Sequence, residues 1–216
     1  MAGVMPDGLG LIDLASVIHL YGVQEPGLDA LGIMRREVVM AGRPARGLYA
    51  HDARTLLSTT LTADELADLW CAATAGVHRL PRDGIAGREW MESVRRMLSE
   101  YGDPAAVDEF FRRPVAPPVV DRVRQLIERF TTHPDHEFPE SCPGGVPETR
   151  RLLRDLAGHG HPDLVFRMFL HLASTYYMPI PEPLHRELLW TVRALGRDDD
   201  VIDVISGMVE DGPGPE

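Results

Sequence analysis

The chain has 216 residues, 44% hydrophobic and 25% charged, with 33 acidic against 22 basic side chains for a net charge of -11. The apolar share supports one domain or two small ones and excludes wholesale disorder. The acid excess opposes nonspecific binding to the phosphates of nucleic acid or anionic lipid.

All basic residues are arginine; lysine and asparagine are absent, the signature of a GC-rich genome. Schiff-base and P-loop lysine chemistry is thereby excluded. Cys71 and Cys142 are the only cysteines, and Cys71 lies in an apolar helical stretch, so no disulfide framework is indicated. Residues 1–10 lack a basic n-region, and the apolar run Leu9–Tyr21, interrupted by Asp13 and His19, falls far short of a bilayer span. A cytoplasmic protein without membrane contact is expected.

Apolar residues recur at helical spacing throughout, with no sustained two-residue alternation, which predicts an all-α fold. Leu11, Leu14, Ala15 and Ile18 form a first stripe, and Leu31, Met34 and Val38 a second. Residues Gly42 to Gly47, around Pro44, read as a loop. Thr62-Ala-Asp-Glu65 has the spacing of a capping box, announcing a helix that buries Leu66, Leu69, Trp70, Ala73 and Val77. After a turn from Pro81 to Gly87 comes a helix with Trp90, Val94, Met97, Leu98 and Tyr101, ending at Gly102. Asp103-Pro104 then opens a short helix bearing Val107, Phe110 and Phe111. Prolines 114, 117 and 118 precede a helix with Val120, Val123, Leu126, Ile127 and Phe130. The stretch His133 to Pro147, rich in proline and glycine, reads as a functional loop or a hinge between two parts of the fold. Seven acidic residues and no base lie between Asp198 and Glu216, as in a solvated face.

The C-terminal region matches itself at an offset of 36 residues. Pro147 falls on Pro183, Leu152 on Leu188, Leu156 on Val192, Gly160 on Gly196, Val165 on Val201 and Phe169 on Ile205. An earlier copy, from Val94 through Gly102 to Phe111, fits at an offset of 58. Each copy is a helical hairpin too small to bury its own apolar stripes, so stacking of neighbours is expected. The expected organisation is an N-terminal helical region over 1–87, a first hairpin with an extra helix and the Pro-rich loop over 88–146, and two hairpin repeats over 147–216.

The segment from Gly196 to Met208, continuing to Gly212 and Pro215, resembles the second half of a pentatricopeptide repeat, and Leu188 to Leu195 resembles its first helix. The likeness thins toward the N-terminus, where Tyr176 stands in place of the inter-repeat glycine. It covers about a third to a half of the chain. The resemblance implies a stack of helical hairpins and single-stranded RNA as ligand, read by a small polar residue early in each first helix. Ten residues before the turn glycines stand Glu92, Arg150 and Arg186, which are the wrong types for that code. With the charge of -11 they argue against nucleic acid and leave these three as candidate contacts of an interaction groove.

Nine histidines raise other chemistry. His133, His136 and Cys142 in the long loop, with His159 and His161 beyond it, are zinc-competent donors, although their spacing matches no zinc signature. Cys142 beside His133 or His136 could serve as a nucleophile if its thiol pKa were depressed. His171, on the apolar helix of Phe169 and Leu172, reads as a core histidine. No P-loop, dinucleotide fingerprint or nucleophile elbow occurs, and no cofactor is called for. The leading expectation is an adaptor whose helical-repeat groove takes a protein or peptide. The alternative is a small-molecule tailoring enzyme or hydrolase, with or without a metal, whose site lies in the His133 to His161 region.

Overall fold

A computed structural model describes residues 8–24, 29–80, 84–101, 107, 110–111 and 114–209, with only the backbone described for 21–24. The described residues form ten helices and no strand. Nine are α-helical: α1 (Leu11–Gln24), α2 (Ala30–Met40), α3 (Arg43–Ser58), α4 (Ala63–Ala73), α5 (Gly87–Ser99), α6 (Pro117–Glu128), α7 (Gly145–Gly158), α8 (Pro162–Thr175) and α9 (Glu182–Ala194). A 3₁₀ helix follows at Asp199–Met208. No described helix is long and apolar enough to cross a membrane. The chain divides into two compact units, residues 1–114 with 139–145, and residues 115–138 with 146–216. Both divisions within the long connection fall inside the segment read as a hinge, and α5 belongs to the first unit, α6 to the second.

The first unit packs α1 to α5 against one another. Leu11, Leu14, Ala15 and Ile18 of α1 are buried, as are Met34 and Val38 of α2. Asp52 of α3 is fully buried and accepts a hydrogen bond from the Leu11 amide (3.0 Å), satisfying an orphan donor at the start of α1. The expected loop at Gly42 to Gly47 is instead the first turn of α3. Gly42 is extended (φ -67°, ψ 159°) and precedes the helix, and Pro44 sits in the first turn, where an amide has no intrahelical acceptor to lose.

The capping box at α4 forms as the spacing predicts, with Glu65 Oε2 accepting from the Thr62 amide (2.8 Å) and Thr62 Oγ1 from the Glu65 amide (3.2 Å). Val77 lies beyond the end of α4 and is partly exposed. Gly87 brings α5 against α4 so closely that a Cβ would lie 2.3 Å from the Ala63 carbonyl oxygen. Arg88 donates to the Leu57 and Leu61 carbonyls, both at 2.8 Å, closing the chain end after α3. Gly102, Asp103 and Pro104, and most of Pro81 to Gly84, lie outside the described residues, as do Gly212 and Pro215.

The second unit is organised around α8. Every residue from Pro162 to Ala173 is buried, so the helix is covered on all sides, and α6 and the 3₁₀ helix pack on it while α9 touches both of those. The turns before α8 and before the 3₁₀ helix each place a glycine in the left-handed region, Gly160 at φ 87° and Gly196 at φ 72°. After α8 the left-handed residue is Tyr177 (φ 51°), directly after Tyr176. The Met178 amide bonds back to the Ala173 carbonyl at 2.8 Å, which closes α8 in the manner of a helix end capped by a left-handed residue.

Candidate functional site

Two arginine systems in the second unit differ in purpose. At the start of α8, the buried Asp163 receives Arg167 Nε at 3.0 Å and Arg197 Nη2 at 2.8 Å, and Arg197 Nε also bonds its other oxygen. Burial alone would raise the Asp163 pKa. The attraction and hydrogen bonds of Arg167 and Arg197 outweigh that cost and hold it down at about 2. The cluster fastens the turn after α9 to the first turn of α8 and is sealed from solvent.

The second system is open. Arg122 of α6 with Pro183, Arg186, Glu187 and Trp190 of α9 line a pocket of about 360 Å³. Glu187 bridges Arg122 and Arg129, each at 3.1 Å. Arg122 lies 5.9 Å over the Trp190 ring, and the indole remains 48% exposed. A large aromatic face left half in water beside guanidinium groups is the arrangement found at interaction hot spots. Arg186 lines the same pocket and forms an exposed pair with Glu182 (3.4 Å).

The other sequence-derived candidates lie elsewhere. Glu92 is on α5 in the first unit, paired with Arg95 at 2.8 Å. Arg150 is committed to the end of α6, where its guanidinium donates to the Phe130 carbonyl, with Nε at 2.7 Å. His133 accepts from the Asp135 amide at its Nδ1 (3.2 Å), and the His136 ring meets Tyr177 edge-on at 4.2 Å. With Phe138 stacked on Tyr176 at 4.5 Å, these contacts anchor the loop to the end of α8. His159 and His161 flank Gly160 in the α7–α8 turn. Cys142 belongs to the first unit. Among the described residues no three His, Cys, Asp or Glu side chains gather closely enough to hold a metal ion. His171 is buried, with Thr175 Oγ1 at 3.4 Å from its Nε2.

The count of ten residues back from Gly196 reached Arg186 but missed Trp190, one helical turn further along the same face. An exposed tryptophan within an amphipathic helix is a usable signal; Arg122, from another helix, carries none. Compared with known proteins, the chain matches no family model, no curated protein and no solved structure.

Proposed function

We propose that the second unit is a non-catalytic docking module whose groove between α6 and α9 takes a peptide segment presenting a carboxylate beside a large apolar side chain. The observation that carries this reading is the half-exposed Trp190 under Arg122. The indole offers an apolar platform, and Arg122 and Arg186 offer charge-assisted bonds to a carboxylate. Glu187 in the groove wall tempers the positive charge and disfavours a polyphosphate backbone, in keeping with the acid excess of the chain.

The test is calorimetric titration with synthetic amphipathic peptides pairing glutamate with leucine or phenylalanine, alongside the same peptides with lysine for glutamate and alongside oligouridine. The acidic peptides are expected to bind, and Trp190→Ala to weaken them about tenfold or more. Equal binding of the lysine peptides, preferential binding of oligouridine, or wild-type affinity in Trp190→Ala overturns the reading.

A further inference from the structure

The two cysteines, far apart in sequence, meet inside the first unit. Cys71 lies in the last turn of α4 and Cys142 in the strap 139–145, and both side chains are almost wholly buried. Cys71 Sγ donates to the Ser141 carbonyl oxygen at 3.6 Å, one residue before Cys142, and the two thiols are near enough to shift each other's ionisation. The fit of the strap is tight. Gly76 follows α4 at φ 73°, and a Cβ there would lie 2.3 Å from Ser141 Oγ and 2.9 Å from Pro139 Cβ. No side chain but hydrogen fits between α4 and the strap at that point. The Ser141 hydroxyl is buried without a hydrogen-bond partner among the described residues.

We propose that Cys71 and Cys142 form a reversible disulfide on exposure to a hydroperoxide, fastening the strap 139–145 covalently to the C-terminal turn of α4.

The chemistry divides between the two sulfurs. The hydrogen bond from Cys142 lowers the Cys71 pKa most, burial pushes the other way, and Ser141 and the Arg79 guanidinium add to the lowering. As the donor in that bond, and buried, Cys142 is pushed far up. Cys71 is therefore the first thiolate. In the first step the Cys71 thiolate attacks one peroxide oxygen; the O–O bond breaks, a hydroxyl remains on sulfur as the sulfenic acid, and hydroxide leaves. In the second, the Cys142 sulfur, losing its proton, attacks the Cys71 sulfur and expels that hydroxyl as water. Two thiols and one hydrogen peroxide thus give one disulfide and two waters. Bridging brings the sulfurs to about 2 Å, a movement of Cys142 within the strap whose preceding residue already contacts Cys71 Sγ. A small peroxide suits the buried position, and the strap's neighbouring Glu140, Pro143 and Gly144 are exposed.

The experiment treats the reduced, full-length protein with a slight excess of hydrogen peroxide and follows free thiols, intact mass and the unreduced peptide map. The expected result is loss of both thiols and of two hydrogens in mass, a Cys71–Cys142 cross-linked peptide, and a Tm raised by roughly 5–15 °C that dithiothreitol reverses. In Cys142→Ser, which keeps a hydroxyl donor beside Cys71 but cannot form the bridge, the reaction should stop at a sulfenic acid on Cys71 that dimedone traps. Thiols left untouched, overoxidation of Cys71 with Cys142 still free, or disulfide-linked dimers in place of the internal bridge overturns the proposal. The wild-type measurements decide it even if the variant fails to fold.

Discussion

Asp163 stands in the first turn of α8, buried and held by Arg167 and Arg197. Asp199 stands in the first turn of the 3₁₀ helix and also pairs with an arginine, Arg193, through Nε at 2.9 Å. The residue type and the ion pair repeat; the surroundings do not. Asp163 sits in a helix covered on every side, whereas the Arg193–Asp199 side chains are 65% and 49% exposed. Both carboxyls are held below their ordinary value, Asp163 by attraction that overcomes burial and Asp199 first by the hydrogen bond from Arg193. Only the first pair is withdrawn from competing water. Breaking it removes a carboxylate from beside two buried guanidinium groups, while breaking the second returns two charges to solvent.

The contrast can be broken most forcefully at its buried end. Asp163→Ala should destabilise the fold by roughly 3–5 kcal/mol in urea unfolding, because it removes a buried carboxylate that Arg167 and Arg197 both bond. A smaller effect comes from acid. The folded Asp163 pKa of about 2 lies below its unfolded value, so its contribution is present above pH 4 and is lost as pH falls toward 2. That loss amounts to roughly 2 kcal/mol, and Asp163→Ala should show correspondingly less acid sensitivity when Tm is followed between pH 5 and pH 2.5. The smallest effect is at the exposed end, where Asp199→Ala should leave Tm unchanged within error in physiological salt. A drop as large as that of Asp163→Ala would show that the two pairs are energetically alike and that burial is not what separates them.

Gly160 and Gly196 were legible as turns, because a chain leaving a helix reverses most readily at a left-handed residue. The capping box at Thr62 was equally legible, since its two hydrogen bonds are local. Helix α3 was hidden because proline and glycine at 42–47 signal a break, and only the placement of Pro44 within the first turn shows that nothing is broken. Of the groove, Arg186 was reached by counting along one helix. Trp190 was within the same reach, whereas Arg122 depends on how α6 lies beside α9.

Local rules thus sufficed for the all-α class, the capping box at Thr62 and the turns at Gly160 and Gly196. Contacts between distant segments were decided only in three dimensions. These are the burial of one aspartate and exposure of its counterpart, the meeting of Cys71 with Cys142, and the half-covered Trp190. The physical reason is that periodicity specifies which face of a helix is apolar, but not which other segment covers it or how completely. Solvent access in turn sets what a charge, a thiol or an indole can do.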